Sequence, residues 1–356
     1  MAKVIFAGAG TAGHIEPALA VARQVLTMQP DLSAIFLGTA TGLENSLVPA
    51  AGFTLSIIEK APFPRRLNAT AIKWPIRFLK TFSQVRGILK GADLVVGFGG
   101  YVAAPAYLSA RLMRIPVIAH EANAKMGLAN KLAARFGAEV LTAFPAPGAR
   151  HVGIPLRSQI TALAQQGSDE RRNSKNQARD NFGISRDAKV LLIFGGSLGA
   201  QRFNDVIAGS LDSILENGIT IIHGIGSSNE LPNARPGYIP MPYISDMASA
   251  YAAADLVISR SGAVTVVETG SLGLYSLYIP LAIGNGEQAA NAAYVVDRGG
   301  GEILANSDFS SDWLKRNIAG LMDRASAWSA SGSRVDFPLD AAEVIARDVM
   351  AVIGRE

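Results

Sequence analysis

The sequence predicts an α/β chain made of two Rossmann-like domains that face each other across a cleft, and two observations carry that reading. Glycine-rich turns recur about half a chain apart, Gly8-Ala9-Gly10-Thr11-Ala12-Gly13-His14 and Gly195-Gly196-Ser197-Leu198-Gly199-Ala200. Each follows a short apolar run, Val4-Ile5-Phe6-Ala7 or Val190-Leu191-Leu192-Ile193-Phe194, too rich in β-branched and aromatic residues to begin a helix. Glycine after such a strand lets the backbone turn tightly and approach a ligand, while the next helix offers unpaired N–H groups to an anion. The second observation is that short apolar runs alternate with helical segments through both halves, the rhythm of a parallel sheet with crossover helices.

In the first half, a helix is expected from about Glu16 to Met28, with Pro17 in its first turn and Ile15, Leu19, Ala22 and Leu26 on one face. Strands are expected at Ala34-Ile35-Phe36-Leu37, Leu94-Val95-Val96-Gly97-Phe98, Pro116-Val117-Ile118-Ala119 and Glu139-Val140-Leu141-Thr142. Gly153-Ile154-Pro155-Leu156-Arg157 reads as the exit from this domain, so the boundary is set at residues 1–160. The polar stretch 164–181 is a surface helix or a mobile connector. A second series follows in residues 161–338: Val190 to Phe194, Thr220 to His223, Tyr238 to Met241, Leu256 to Ser259 and Ser276 to Leu281. Residues 339–356 are expected to form a final helix, with Ala342, Ile345, Val349 and Val352 as its apolar face, packing back on the first domain.

Composition narrows the class. A chain of 356 residues, 49% hydrophobic and 17% charged, is globular and long enough for two cores. No apolar stretch reaches the roughly 20 residues of a spanning helix; the longest, Leu272 to Ile283, contains Pro280. The apolar start breaks at glycines and then at His14 and Glu16, unlike a secretory signal, so the chain is expected to face the cytosol. The absence of cysteine excludes disulfides, thiolate catalysis and thiolate metal sites.

The net charge of +4 conceals an asymmetry: residues 1–160 hold 17 Lys and Arg against 7 Asp and Glu, and the remainder is acidic. A basic half points to nucleic acid, an anionic membrane or an anionic substrate. Much of the excess lies between Arg65 and Lys90, where Ile72, Trp74, Ile76, Phe78, Leu79 and Phe82 interleave with Lys73, Arg77 and Lys80 at helical spacing. That is the pattern of an interfacial segment on anionic lipid, and equally of an amphipathic helix packed on its own domain. Nucleic acid is disfavoured, because the aromatics cluster with aliphatics in one stretch and do not line a basic groove.

The first turn contains Gly-x-Gly-x-x-Gly, yet Phe36-Leu37-Gly38-Thr39 lacks the acidic residue a dinucleotide site places after the next strand. A nucleotide-cofactor oxidoreductase is therefore disfavoured, and no cofactor is expected. His14, at the helix start, is either a general base facing the cleft or a backbone-bonded polar residue. Gly97-Phe98-Gly99-Gly100-Tyr101 and His120-Glu121-Ala122-Asn123-Ala124 follow two further strands at the end where an open sheet forms its ligand crevice. In the second half, Ser261-Gly262-Ala263-Val264-Thr265 opens a helix suited to phosphate, and Glu268 could take both hydroxyls of a ribose. Structurally, Ser261 could instead be an N-cap and Glu268 a solvated carboxylate. Gly284-Asn285-Gly286-Glu287-Gln288-Ala289-Ala290-Asn291 presents groups for sugar hydroxyls. No Asp-x-Asp motif or paired carboxylates occur, and a metal site is not expected.

Taken in order, Ala7 to Pro17, Gly97 to Pro105, the His120-Glu121-Ala122-Asn123 loop, Gly153 to Arg157, Gly195 to Ala200, Ser261 to Thr265 and Gly284 to Asn291 resemble the MurG family of bacterial UDP-N-acetylglucosamine transferases, glycosyltransferase family 28. The resemblance spans nearly the whole chain. It implies the GT-B fold, with a lipid-linked acceptor (lipid I) on the first domain and UDP-GlcNAc on the second, at the cytoplasmic face of the inner membrane. It further implies peptidoglycan synthesis, peripheral attachment to anionic lipid and proximity to other cell-wall synthesis proteins. Carried over residue by residue, it places Thr11, Ala12 and Gly13 at substrate and His14 as the base, with Glu121 its rival. Asn123 then faces the sugars, Ser197, Arg157 and Thr265 lie at the diphosphate, Tyr243 and Ile244 at uracil, Glu268 on the ribose, and Gln288 and Asn291 near the donor sugar.

Departures from the family pattern are Ala9 in place of glycine, tolerable at negative φ, and Leu272-Gly273-Leu274-Tyr275-Ser276 in place of Leu-Gly-x-Pro. Gly270 inside the donor-domain helix is expected to cost about 1 kcal/mol against alanine. The nearest rival is a GT-B enzyme acting on a diacylglycerol or small-molecule acceptor, which should lack the His120-Glu121-Ala122-Asn123 loop.

Overall fold

The computed structural model describes residues 1–60, 69–196, 200–281 and 285–354, and of the helical residues 69–76 it describes the backbone alone. The chain divides into two compact units, Met1–Arg157 with Pro338–Glu356, and Ser158–Phe337.

The first unit runs β1 (Lys3–Gly8), α1 (Ala12–Met28), β2 (Ser33–Thr39), α2 (Glu44–Ala50), β3 (Thr54–Ile58), α3 (Ala69–Ile88), β4 (Leu94–Gly99), α4 (Ala103–Met113), β5 (Val117–Glu121), α5 (Leu128–Arg135), β6 (Glu139–Thr142) and β7 (Arg150–His151). Its strands form one seven-stranded sheet of order β3-β2-β1-β4-β5-β6-β7, parallel at every pairing. Both sheet faces are covered, so the strands read as continuous apolar runs whose side chains alternate between two cores. Val4 and Phe6 join the core under α1, where Phe6 stacks on Phe36 with ring centroids 5.1 Å apart, while Ile5 and Ala7 join the core that includes Tyr107 of α4.

The second unit contains α6 (Ser158–Gln165), α7 (Ser168–Phe182), β8 (Lys189–Phe194), α8 (Gln201–Glu216), β9 (Ile219–Gly224), β10 (Tyr238–Met241), α9 (Met247–Ala253), β11 (Leu256–Ser259), α10 (Ala263–Leu272), β12 (Tyr275–Tyr278), α11 (Glu287–Val296), β13 (Gly301–Ile303) and α12 (Ser311–Ala330). Its six-stranded sheet has the order β10-β9-β8-β11-β12-β13, again parallel at each pairing. The last helix, α13 (Ala341–Ile353), belongs to the first unit, where Ile345, Ala346 and Val349 are fully buried in the core beneath α1. Ala342 and Val352 pack at its edge.

Several elements differ from the sequence reading. The first helix starts at Ala12 rather than Glu16, because Thr11 is already extended (φ −125°, ψ 154°) and the glycine turn is complete. Pro17 therefore sits in the second turn, where its missing N–H leaves the Gly13 carbonyl without its helical partner. Strand β12 ends at Tyr278 instead of Leu281, before Pro280. The stretch 164–181 is the end of α6 and most of α7, closed by Gly183 in the left-handed region at φ 67°. Strands β3, β7 and β13 escaped the sequence reading because each is short, and β3 and β7 lie at sheet edges with half-polar patterns.

Candidate active site

In the first unit the strand order reverses between β1 and β4, the position where a doubly wound sheet opens its ligand crevice. The loop after β1 turns sharply there. Gly10 has φ +99°, and its N–H donates to the Glu44 carboxylate at 3.0 Å. Glu44, fully buried at the head of α2, also accepts from the Thr39 N–H at 2.9 Å and the Thr39 hydroxyl at 3.0 Å. Burial alone would raise its pKa, but the donors from Gly10 and Thr39 hold the carboxyl below its ordinary value. Glu44 thus pins the glycine turn as an anion. At the start of α1, the helix dipole and the first-turn amides of Ala12 and Gly13, outward of that anchor, suit a negatively charged group.

His14 lies in the same turn, its Nδ1 3.3 Å from the Thr11 hydroxyl. Its ring passes over the backbone of Gly99, where a Cβ would come within 3.3 Å of Nε2. Gly99 is at φ +90°, so this approach needs glycine twice over. Burial holds the imidazole below its ordinary value, opposed by the Glu121 carboxylate and by a hydrogen bond with the backbone of Ala9. A neutral imidazole near neutral pH is the form a general base requires. Ala9 itself is buried and avoids positive φ, so the alanine is accommodated.

Glu121 ends β5, only 4% exposed. One carboxylate oxygen accepts from the Asn123 N–H at 2.9 Å and the Asn123 amide at 3.1 Å; the other accepts from the Gly127 N–H at 2.8 Å and the Asn130 amide at 2.9 Å. All four donors converge on this one carboxylate from its own loop and the following helix. It organises the loop and places Asn123. Asn130 is buried, bonded also to the His120 carbonyl and to the Tyr107 hydroxyl. His120 is equally buried, its Nε2 2.8 Å from the Gly153 carbonyl. Glu44, Tyr107 and Asn130 were missed by the sequence reading. Only the short spacing from Gly127 to Asn130 hinted at the last of them, as a residue in a helical first turn.

In the second unit the order reverses between β8 and β11. Ser197, expected at the diphosphate, lies outside the described residues. Gly262 is the N-cap of α10, extended at φ −60°, ψ 145°, which corrects the alternative reading of Ser261 as the cap. Ser261 is instead fully buried, and its hydroxyl has no hydrogen-bond partner among the described residues. Thr265 is half-buried one turn into α10, its carbonyl accepting from the Thr269 hydroxyl. Glu268 is 3% exposed rather than solvated, and one carboxylate oxygen accepts from the Tyr251 hydroxyl at 2.9 Å. Tyr243 is 48% exposed beside Ile244, which is buried against Gly224.

Gln288 and Asn291 hold the loop between β12 and α11. The Gln288 side-chain carbonyl accepts from the Leu281 N–H at 2.9 Å, and the Asn291 amide donates to the Ser261 carbonyl at 3.3 Å. Asn291 is fully buried, and this bond ties α11 to the residue before the N-cap of α10. Arg157, half-buried, closes the first stretch of the first unit.

Of the interfacial residues, Ile72, Lys73, Trp74 and Ile76 have side chains outside the described part. Arg77 and Leu79 are exposed, Leu79 at 65%. Phe78 and Phe82 are half-buried and stack on each other, while Lys80 pairs with Glu59. Among the described residues no helix is long and apolar enough to cross a membrane.

Residues 4–142 match the N-terminal domain of glycosyltransferase family 28 and residues 190–343 its C-terminal domain. A Mycolicibacterium vanbaalenii protein named UDP-N-acetylglucosamine--N-acetylmuramyl-(pentapeptide) pyrophosphoryl-undecaprenol N-acetylglucosamine transferase is 45% identical, over 99% of this chain and 90% of its own length. The protein of the same name from Corynebacterium efficiens is 43% identical over 99% of this chain and 98% of its own. The crystal structure of Acinetobacter baumannii MurG superposes at a TM-score of 0.74 with 30% identity, covering 99% of this chain and all of that one. A calicheamicin glycosyltransferase shares the two-domain fold at a TM-score of 0.66 and 14% identity. With both domain matches in place and relatives aligned end to end, the chain belongs to glycosyltransferase family 28.

Proposed function

We propose that this chain transfers N-acetylglucosamine from UDP-GlcNAc to the C4 hydroxyl of the N-acetylmuramoyl sugar of an undecaprenyl-diphosphate-linked acceptor, lipid I, forming lipid II. The observation that carries it is the full-length identity to relatives bearing that activity in their names. The site chemistry agrees. The acceptor oxygen attacks C1 of the donor from the face opposite UDP, a β-1,4 bond forms, and the C1–O bond to the diphosphate breaks with its electron pair leaving on UDP. His14 Nε2 takes the hydroxyl proton. Charge growing on the diphosphate is met by the α8 N-terminus, with Ser197, Thr265 and Arg157 as its partners. Glu268 orients the ribose, and Tyr243 with Ile244 receives uracil. The exposed Leu79 and Arg77 of α3 support peripheral contact with an anionic membrane at its cytoplasmic face.

The test is transfer of labelled GlcNAc from UDP-GlcNAc to a lipid I analogue with EDTA present. Lipid II product is expected. Donor binding by calorimetry without product on this acceptor, but with product on a diacylglycerol, would replace the acceptor assignment; loss of product to EDTA would refute charge stabilisation by protein groups alone.

A further inference from the structure

Helix α7 brings into the second unit a set of cations that the proposed transfer does not use. Arg171, Arg172 and Lys175 line a cavity of about 310 Å³ whose apolar wall comes from Leu163, Leu272 and Leu274. That volume lies at the lower end of small-ligand sites, roughly 300–1,000 Å³. Asp255 is the one carboxylate among the lining residues, and its charge is already met. One oxygen pairs with Lys175, the other with Arg179 at 2.8 Å and with the Val190 N–H at 2.7 Å.

The arginines remain in excess. Arg171 donates to the Gln166 carbonyl at 3.0 Å and the Ala164 carbonyl at 3.3 Å, and Arg334 donates to the same Ala164 carbonyl at 2.9 Å. Both guanidiniums therefore crowd the carboxyl end of α6, and the Arg171 pKa is lowered, first by burial and then by Arg334. Capping α6 accounts for these two side chains. It does not account for Arg172, which lines the cavity from an exposed position.

The cavity lies at the amino-terminal ends of the strands, beside Asp255 before β11 and Leu274 before β12, whereas the ligand loops leave the carboxyl ends. One residue links the two. Tyr251 lines the cavity, and its hydroxyl holds Glu268.

We propose that this cavity binds a small organic anion, a phosphate group on an apolar body, and that occupancy alters donor affinity through the hydrogen bond from Tyr251 to Glu268. The coupling rests on the proposed role of Glu268 at the ribose; the binding does not. By reciprocity, the donor changes affinity for the anion by the same factor.

The experiment is calorimetry on the whole chain with phenyl phosphate, inorganic phosphate and phenol, each with UDP absent and saturating. Phenyl phosphate is expected to bind in both conditions, more tightly than inorganic phosphate, with no binding by phenol. Arg172→Gln combined with Arg171→Gln, both of which line the cavity, should weaken it about tenfold, the scale of lost charged hydrogen bonds. Saturating phenyl phosphate should shift UDP affinity roughly fivefold, and Tyr251→Phe should remove that shift while keeping phenyl phosphate bound. Binding that UDP fully displaces and that the double variant leaves unchanged would overturn the site. An unshifted UDP affinity at saturation would overturn the coupling. A chain that binds phenyl phosphate but never UDP would confirm the cavity and refute the donor reading on which the coupling stands.

Discussion

His14 and Glu121 lie on two elements, the head of α1 and the end of β5, the first proposed to take a proton and the second holding its own loop in place. The carboxylate accepts four hydrogen bonds, and its charge reaches His14, raising an imidazole pKa that burial lowers more strongly. Replacing His14 by alanine should lower kcat by about 10²- to 10⁴-fold, the range for a lost general base, with UDP affinity unchanged by calorimetry. Glu121→Gln makes a sharper test. Removing the negative charge lets the His14 pKa fall further, so its neutral form persists to lower pH and the acid limb of the kcat/KM profile moves down. A base role for Glu121 would instead abolish that limb and leave a flat, low rate. The His-Glu-x-Asn loop was legible because its side chains are polar at the end of an apolar strand. Glu44 and Tyr107 were not, since a buried carboxylate and a buried phenol are recognised only by partners distant in sequence or supplied by backbone.

At the scale of elements, periodicity exposed the strands that are buried on both faces and concealed three of the four edge strands, β3, β7 and β13, while β10 was read from its apolar run. β1, β4 and β8 are continuous apolar runs, whereas β3 reads Thr-Leu-Ser-Ile-Ile and β7 has two residues. Helix α10 shows the opposite failure, in which a local rule gave the wrong sign. A helical glycine at 270 is costly by propensity, yet a Cβ there would lie 2.8 Å from Phe337 and 3.1 Å from Val295. The Gly270 carbonyl also accepts from the Val335 N–H at 3.0 Å, which ties the segment after α12 across the helix. Gly270→Ala should therefore destabilise the second unit by roughly 1–3 kcal/mol, the range for overpacking. Chemical denaturation checks this, and a gain of stability would show that propensity outweighs the contact. The missing proline after this helix is likewise no defect. Gly273, at φ +71°, ends α10 by its own conformation, with the Leu274 N–H returning to the Thr269 carbonyl at 2.9 Å.

Over the whole molecule, the proposed attachment to a membrane is the property that no single loop decides. α3 turns Thr81 and Val85 inward and leaves Leu79 at 65% exposure, so Leu79→Ser removes apolar surface without opening the core. Flotation with vesicles rich in anionic lipid should show reduced binding, with thermal stability unchanged; undiminished binding would return α3 to a solvated helix. The doubly wound plan of each unit was legible from two glycine turns and the strand rhythm, because parallel strands need crossovers and crossovers need helices. The final helix was expected to pack back on the first domain, and the chain returns at Pro338 to make the first unit from both termini. During synthesis, residues 158–337 emerge between the two parts of the first unit, and domains ordinarily fold as they leave the ribosome. The first unit cannot follow that order, because Ile345, Ala346 and Val349 are the final pieces of its core. Until they emerge, the underside of α1 is an open apolar face. The nascent protein therefore completes its first unit last, so that a chain stalled late in translation carries a finished second unit and an unfinished partner.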